Sequence, residues 1–530
     1  MKRERKLGLW EAVAIGIGGM VGGGIFAVLG LTLSLAGGGA PLSFLIAGVV
    51  ALLTAHSYAK LSVRYPSEGG TVEFLVRAFG NNLLTSYLNT LLLASYVIML
   101  ALYSYAFGAY ASALIAGTDN PVLMKILIVA VLAAFGIINA LGAYLSGKVE
   151  DVMVALKVGI LLFFSIVGLL SGDFSRLSPE QWKGLVEIMT GGLIIFLAYE
   201  GFELIANTSQ DVRHPEETLP KAYYISVSFV IFLYVLVAIT AVINLTPEEV
   251  MKYRDYALAV AARPALGEAG FILIGIAAVL STASAINATL YGSSRISYLI
   301  AKFGALPRTL SRRVWKDATE GLVAIVVISA LFATLSDLSN ISVAGSMGFL
   351  VIFTAVNLAH FRLRRETGSG PVLPLVSTLA SASATVVLLL YNLQHSPQSL
   401  RNAAIVFGAT FVFEVLYRSI TGLKLKPFVD WKLQEIEEFR RRPERHLREV
   451  VRRLKEMFPD AEIYVVGRGP KDGWRTSPHI NLLVLTDSPP DDEEEAEREL
   501  KRSINLRRHH PLHIKFRRKE GAKPEGERLA

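Results

Sequence analysis

Apolar runs long enough to cross a bilayer recur from residue 7 to about residue 420, and this recurrence restricts the fold more than any other feature. A helical crossing takes roughly 20 apolar residues. By that rule the chain holds about twelve candidate spans. They centre near Gly19, Val50, Val97, Leu132, Leu161, Leu197, Leu233, Val279, Val326, Phe353, Val386 and Phe411. Inside hydrocarbon every backbone group needs an internal partner, so the expected class is an all-α membrane protein. Counts of about ten or about fourteen spans fit nearly as well. Any even count returns the end of the chain to the side on which it starts.

Charge is unevenly spread. Only 18% of the chain is charged, against roughly 25% in soluble proteins. Nearly half of those charges follow Gly422. The expected organisation is a membrane domain over residues 1–422, a small α/β domain over 423–520 and a disordered tail over 521–530. Within the second domain, Glu462–Val466, Asn481–Leu485 and Leu512–Phe516 read as strands. Leu447, Val450, Val451, Leu454 and Phe458 lie at helical spacing, and Asp491–Ser503 reads as an acid-started helix. Connections carrying Lys60, Arg64, Arg77, Lys148, Arg213, Lys221, Arg308, Arg312, Arg313 and Lys316 share their side with the basic Met1–Lys6. The positive-inside bias makes that side cytoplasmic, with both termini on it. The apolar stretch from Leu7 to about Leu35 outruns the roughly 7–15 residues of a signal core, so it reads as an uncleaved first span. The net charge of +8 is read as topology, with no nucleic-acid partner. With no cysteine, disulfides, thiolate metal sites and cysteine nucleophiles are excluded. No metal, cofactor or enzymatic activity is expected.

The first span contains Gly16-Ile17-Gly18-Gly19-Met20-Val21-Gly22-Gly23-Gly24-Ile25-Phe26, six glycines within nine residues. Each weakens a helix by roughly 1 kcal/mol relative to alanine. The run is either a close packing surface, since Gly18 and Gly22 form a GxxxG, or a break. Three consecutive glycines favour the break, because packing needs glycine on one face only. Amides opening the second half-helix attract a carboxylate. Carbonyls closing the first half attract an ammonium. A broken helix of this kind suits the zwitterionic end of an amino acid.

The sixth span holds Phe196-Leu197-Ala198-Tyr199-Glu200-Gly201-Phe202-Glu203. Each carboxylate costs about 2.5–3.5 kcal/mol at mid-membrane. Glu200 and Glu203 should therefore face a cavity or a partner, unless one sits solvated at a helix end. Gly201 permits unwinding. Spans one and six would each open a half of five spans, the inverted-repeat arrangement with paired broken helices. In span five, Lys157 either snorkels to the interface or is a buried titratable group that exchanges a proton during a cycle. In span eight, Ser281-Thr282-Ala283-Ser284 is either helix–helix glue or a set of hydroxyl ligands for a cation or an ammonium.

These motifs together resemble the amino acid–polyamine–organocation (APC) superfamily. Gly22-Gly23-Gly24-Ile25-Phe26 looks like its Gly-x-Gly-Ile-Phe signature. Tyr65-Pro66-Ser67-Glu68-Gly69-Gly70-Thr71 resembles its second-helix loop. Tyr199-Glu200-Gly201-Phe202-Glu203, with Asp211, Pro215 and Leu219-Pro220-Lys221-Ala222, resembles its sixth-helix region, and Asn287-Ala288-Thr289-Leu290-Tyr291-Gly292 its eighth. The resemblance covers about Leu7 to Ile420 and implies a LeuT-type 5+5 inverted repeat. It also implies that amides of Gly23 and Gly24, within the stretch Gly22–Ile25, hold a substrate carboxylate. Carbonyls of Met20, Leu197 and Glu200 would hold the amine, with Tyr199 or Phe202 as an aromatic gate. Lys157 would act in proton coupling, contacting backbone around Gly18 and Val21 and a hydroxyl near Ser281 or Ser284. Glu203 would sense protons.

The tail resembles a different family. Tyr464-Val465-Val466-Gly467-Arg468, then His479-Ile480-Asn481-Leu482-Leu483-Val484, looks like a minimal nucleotidyltransferase core. Arg468 stands for that family's serine, and His479 and Asn481 for its two aspartates. A His/Asn pair lacks the charge to hold a catalytic metal pair, so this domain is expected to be inactive, with an unrelated small α/β domain as the alternative.

The resulting expectation is a proton-coupled importer of amino acids in the plasma membrane. Its partners would be the amino acid, protons and the bilayer; oligomeric state is not indicated. A polyamine or cation carrier, a sodium-coupled carrier and a membrane sensor without transport are the rivals.

Overall fold

The computed structural model describes residues 7–67, 69–80, 82–117, 120–141, 147–302, 313–315, 318–421, 443–466 and 480–490, with short pieces beyond, chiefly 512–518 and 527–528. The chain divides into two units, 1–427 and 428–530.

The first unit is helical. In chain order it comprises α1 (Leu9–Met20), α2 (Gly24–Ala36), α3 (Ala40–Arg64), α4 (Thr71–Phe79), α5 (Leu83–Ala116), α6 (Pro121–Ala140) and α7 (Gly147–Gly168). Then come α8 (Leu185–Ile194), α9 (Leu204–Thr208), α10 (Pro215–Asn244), α11 (Pro247–Lys252), α12 (Ala257–Ala261) and α13 (Arg263–Lys302). After a short ribbon, β1 (Arg313–Trp315) with β2 (Ala318–Thr319), follow α14 (Glu320–Leu335), α15 (Leu338–Arg362), α16 (Val372–His395) and α17 (Pro397–Thr421).

Among the described residues nine helices are long and apolar enough to cross a membrane, and the bent pair α1/α2, at 47°, makes a tenth. Val152–Gly168 and Glu320–Leu335 are apolar but shorter. Every expected centre lies in one of these segments, but a count of twelve is reached only by including the two short helices.

Side-chain caps set where several helices begin. Asn82 accepts from the Thr85 amide at 2.9 Å, Asn120 from Leu123 at 3.1 Å and Asp337 from Asn340 at 2.8 Å. Each satisfies an amide that the first helical turn leaves open. In its most apolar 18 residues the segment Leu185–Asp211 is 89% buried, whereas the corresponding stretches of α6 and α17 are only 22% buried. Span six is thus central, and α6 and α17 turn apolar faces outward: Val122, Ile126, Phe411 and Val412 are all exposed. Exposed apolar bands of this kind are a liability in water and ordinary in lipid.

Among its described residues the second unit has an amphipathic helix, α18 (Pro443–Met457), and strands β3 (Glu462–Val466), β4 (Ile480–Thr486), β5 (Leu512–Arg518) and β6 (Glu527–Arg528). The sheet order is β5-β4-β3-β6, with β4–β5 parallel and the other pairs antiparallel. Val450 and Leu454 of α18 pack with Ile463, Leu482, Val484, Ile514 and Phe516. Glu527 and Arg528, expected to be disordered, instead pair with Val465 and Tyr464. Arg468, His479 and most of Asp491–Ser503 lie outside the described residues.

Candidate functional site

The glycine run both breaks span one and packs it. Helix α1 ends at Met20, and α2 begins at Gly24. A side chain at Gly22 would press on Ala285 at 2.9 Å, one at Gly23 on the Tyr103 ring at 2.4 Å and one at Gly24 on the Ala198 Cα at 2.7 Å. The break is therefore enclosed by α5, α13 and span six. No side chain caps α2, which leaves its first-turn amides as an anion-attracting end.

Span six is interrupted at the same level. Helix α8 gives way to a tighter turn over Ile195–Tyr199, Glu200 is extended, Gly201 takes φ +121°, and α9 resumes at Leu204. A Cβ on Gly201 would lie 2.3 Å from the Gly19 carbonyl carbon, and one on Gly19 would lie 2.6 Å from the Gly201 oxygen. The two broken spans meet backbone to backbone at this pair of glycines. They are joined again near the chain start, where the Leu7 amide donates to Asp211 O at 3.1 Å and the Arg213 amide to Leu7 O at 2.8 Å.

Polar side chains then close on the breaks. The Gly201 amide donates to Glu203 Oε2 at 2.7 Å, and the Tyr96 hydroxyl to Glu203 Oε1 at 3.2 Å. Lys157, 3% exposed, donates from Nζ to Gly18 O at 3.5 Å, so it points into the bundle and does not snorkel. Ser281 Oγ lies within hydrogen-bond distance of Gly22 O at 2.7 Å and Val21 O at 3.1 Å. Ser281 thus serves the carbonyls of the break. Replacing Ser281 with alanine is expected to cost about 1 kcal/mol, read as a lower melting temperature in detergent.

A narrow cavity of about 20 Å³ lies beside Gly18, Gly19, Tyr96, Tyr103, Glu200 and Ser284. It has room for about one water, so a larger solute requires the surrounding helices to move apart. Glu200 lines this cavity, as expected for a carboxylate placed in a span. Tyr199 and Phe202, expected as an aromatic gate, lie elsewhere in this structure. Tyr199 turns away and donates to Phe44 O at 2.8 Å. Phe202 sits among Tyr58, Tyr223 and Phe353. Neither lines the cavity; the tight turn and the positive φ at Gly201 rotate both rings into the packing against α3, α10 and α15. The aromatic walls are Tyr96 and Tyr103 of α5, which the sequence reading missed. Their signal was a phenol in mid-span, where a hydroxyl needs a partner.

The carbonyls assigned to an amine are also engaged. Met20 O accepts from the Tyr234 hydroxyl at 2.6 Å, and Leu197 O from the Glu200 amide at 3.3 Å. Gly22, Gly23, Gly24 and Ile25 are buried at the break, outside the cavity lining.

Residues 7–413 match the sequence profile of the amino acid permease family. The chain belongs to this family. An uncharacterized protein of Methanocaldococcus jannaschii is 37% identical over 79% of this chain and 97% of its own. The inner membrane transport protein YbaT of Escherichia coli is 32% identical over 71% and 88%. The branched-chain amino acid permease BcaP of Bacillus subtilis is 25% identical over 68% and 82%. As an amino acid permease family member, the chain is a multi-pass membrane transporter. The profile ends before residue 428, so it says nothing of the second unit.

Proposed function

We propose that the protein is a proton-coupled secondary active transporter that brings amino acids across the plasma membrane. The observation that carries this reading is the juxtaposition of the two breaks. The carbonyl end of α1 and the uncapped amide end of α2 adjoin the unwound Leu197–Gly201 segment. These ends offer opposite partial charges, as a zwitterion requires. The packing of α3 on α10 and of α5 on α13 supports a 5+5 repeat, since these are corresponding spans of the two halves. The amides of Gly23, Gly24 and Ile25 would take the carboxylate, and carbonyls of Met20, Leu197 and Glu200 the amine. YbaT is named as an inner membrane transport protein and BcaP as a branched-chain amino acid permease, which supports a carrier of this general class.

Transport would move the joined spans one and six against the surrounding helices, because the cavity as it stands is too small for an amino acid. The test is uptake of radiolabelled amino acids into proteoliposomes under an imposed pH gradient, with and without sodium. Accumulation that follows the gradient without sodium is expected; sodium-dependent uptake indifferent to pH would overturn the proton part. The lining of the cavity by Glu200 favours one second reading, a cationic solute. Competition by amino acids, polyamines and potassium separates the two. Removing residues 428–530 should leave uptake within about two-fold of the full chain, because the membrane unit holds its own core. Abolished uptake would favour a sensor in which the second unit is essential.

A further inference from the structure

Tyr234 of α10 is fully buried, and its hydroxyl lies 2.6 Å from Met20 O and 3.2 Å from Ala198 O. Met20 ends α1, so its carbonyl is beyond the reach of that helix's own amides. Ala198 lies in the tight turn that interrupts span six. Carbonyls from both breaks therefore converge on one donor. The phenol is held there by its ring, which packs 5.1 Å from Tyr199 and 5.9 Å from Phe44, centroid to centroid. Its position is fixed from a helix that is itself unbroken.

From this we propose that the Tyr234 hydroxyl is a positioning group for the empty carrier, shared between the two break carbonyls until a substrate ammonium takes over Met20 O. The proposal rests on the amino acid reading above. A phenol carries one proton, so it can donate fully to only one of the two carbonyls at a time. An ammonium carries three; once it donates to Met20 O, the phenol's proton is left for Ala198 O. An orphaned carbonyl inside a span is costly, and the empty carrier faces that cost each time it returns without substrate. Tyr234 lowers it at a site where no water need enter. The loaded carrier does not depend on Tyr234 in the same way, because the ammonium supplies the donor at Met20 O.

This separates two fluxes. Net uptake requires the empty carrier to return; exchange of external for internal amino acid does not. The test compares wild type with Tyr234→Phe, which keeps the ring and deletes the donor. Proteoliposomes receive a radiolabelled mixture of the protein L-amino acids. They are either empty inside, for net uptake, or preloaded with the same unlabelled mixture, for exchange. In Tyr234→Phe, net uptake is expected to fall about five-fold relative to exchange, the worth of one hydrogen bond. The variant's melting temperature should also rise more on adding the mixture than that of wild type. Equal losses in both fluxes, with equal thermal shifts, would make Tyr234 ordinary packing and overturn the proposal. Unchanged fluxes would overturn it as well. Wild type silent in both fluxes overturns the amino acid reading itself, an outcome distinct from the other two.

Discussion

Alanine at position 201 is expected to abolish uptake and to lower the melting temperature of the purified protein. Two independent penalties meet there. The φ of +121° at Gly201 lies where a side-chain-bearing residue is strained by about 1–3 kcal/mol. The added carbon would also stand 2.3 Å from Gly19 C and 2.6 Å from Met20 N. Those atoms are backbone and cannot swing aside as a flexible side chain would. The strain alone corresponds to a loss of stability of roughly 2 kcal/mol, and the overlap forces α1 away from span six. Any geometry built from both breaks is then lost. The control is Gly408→Ala on α17, where nothing lies within 4 Å of the added carbon. It should leave uptake unchanged and stabilise by about 0.5–1 kcal/mol, since glycine weakens a helix. Wild-type uptake by Gly201→Ala would mean that the contact of the two breaks is not needed. Gly19→Ala approaches the same contact from the other side, at 2.6 Å from Gly201 O, and should reproduce the loss.

The position of this contact was legible in the sequence and its walls were not. Glycine clusters in a span have few uses, so the run at Gly22 and the lone Gly201 both pointed to unwinding. The pairing of Gly18 with Lys157 and of Val21 with Ser281 was accessible through family motifs. The rotation of each helix about its axis was hidden. In a soluble helix the polar face identifies the buried one. In lipid the outer face is as apolar as the inner, so periodicity does not say which side of α5 looks inward. Tyr96 and Tyr103 were therefore missed, and the packing of Tyr199 and Phe202 against Phe44, Tyr58, Tyr223 and Phe353 was not foreseen. The choice between packing and break for the glycine run was posed as exclusive. The structure uses the run for both, because the glycines that let the backbone break also have no side chains to fill the space that Tyr103, Ala198 and Ala285 take.

Removal of the Lys157 amine gives the other large effect. In Lys157→Ala, substrate binding should persist while accumulation driven by a pH gradient is lost. Lys157 lies on α7, and its Nζ reaches Gly18 O, one residue before the glycine that touches Gly201. A donor at that carbonyl ties α7 to α1, the first half of span one. The ammonium has three protons to donate, and the neutral amine has two and a lone pair. Protonation therefore strengthens the tie to a carbonyl, and deprotonation weakens it and frees α1 to move. If Lys157 carries the coupled proton, alanine breaks the link between the pH gradient and that motion. Accumulation ratios should then fall to about one, the value for equilibration without a driving force. Exchange of internal for external amino acid should continue, because it needs no net proton movement. Binding is checked separately by the thermal shift on adding amino acids, which should stay within about two-fold of wild type in apparent affinity. Lys157→Arg retains charge but, as a group that does not lose its proton in proteins, should bind and exchange yet remain uncoupled. If Lys157→Ala still accumulates substrate against its gradient when only pH drives it, the proton is carried elsewhere. Glu203, held between the Gly201 amide and the Tyr96 hydroxyl, is then the group to test. Its replacement by glutamine keeps the hydrogen-bonding shape while removing the titratable proton, so loss of pH-driven accumulation in that variant alone would reassign the coupling to span six.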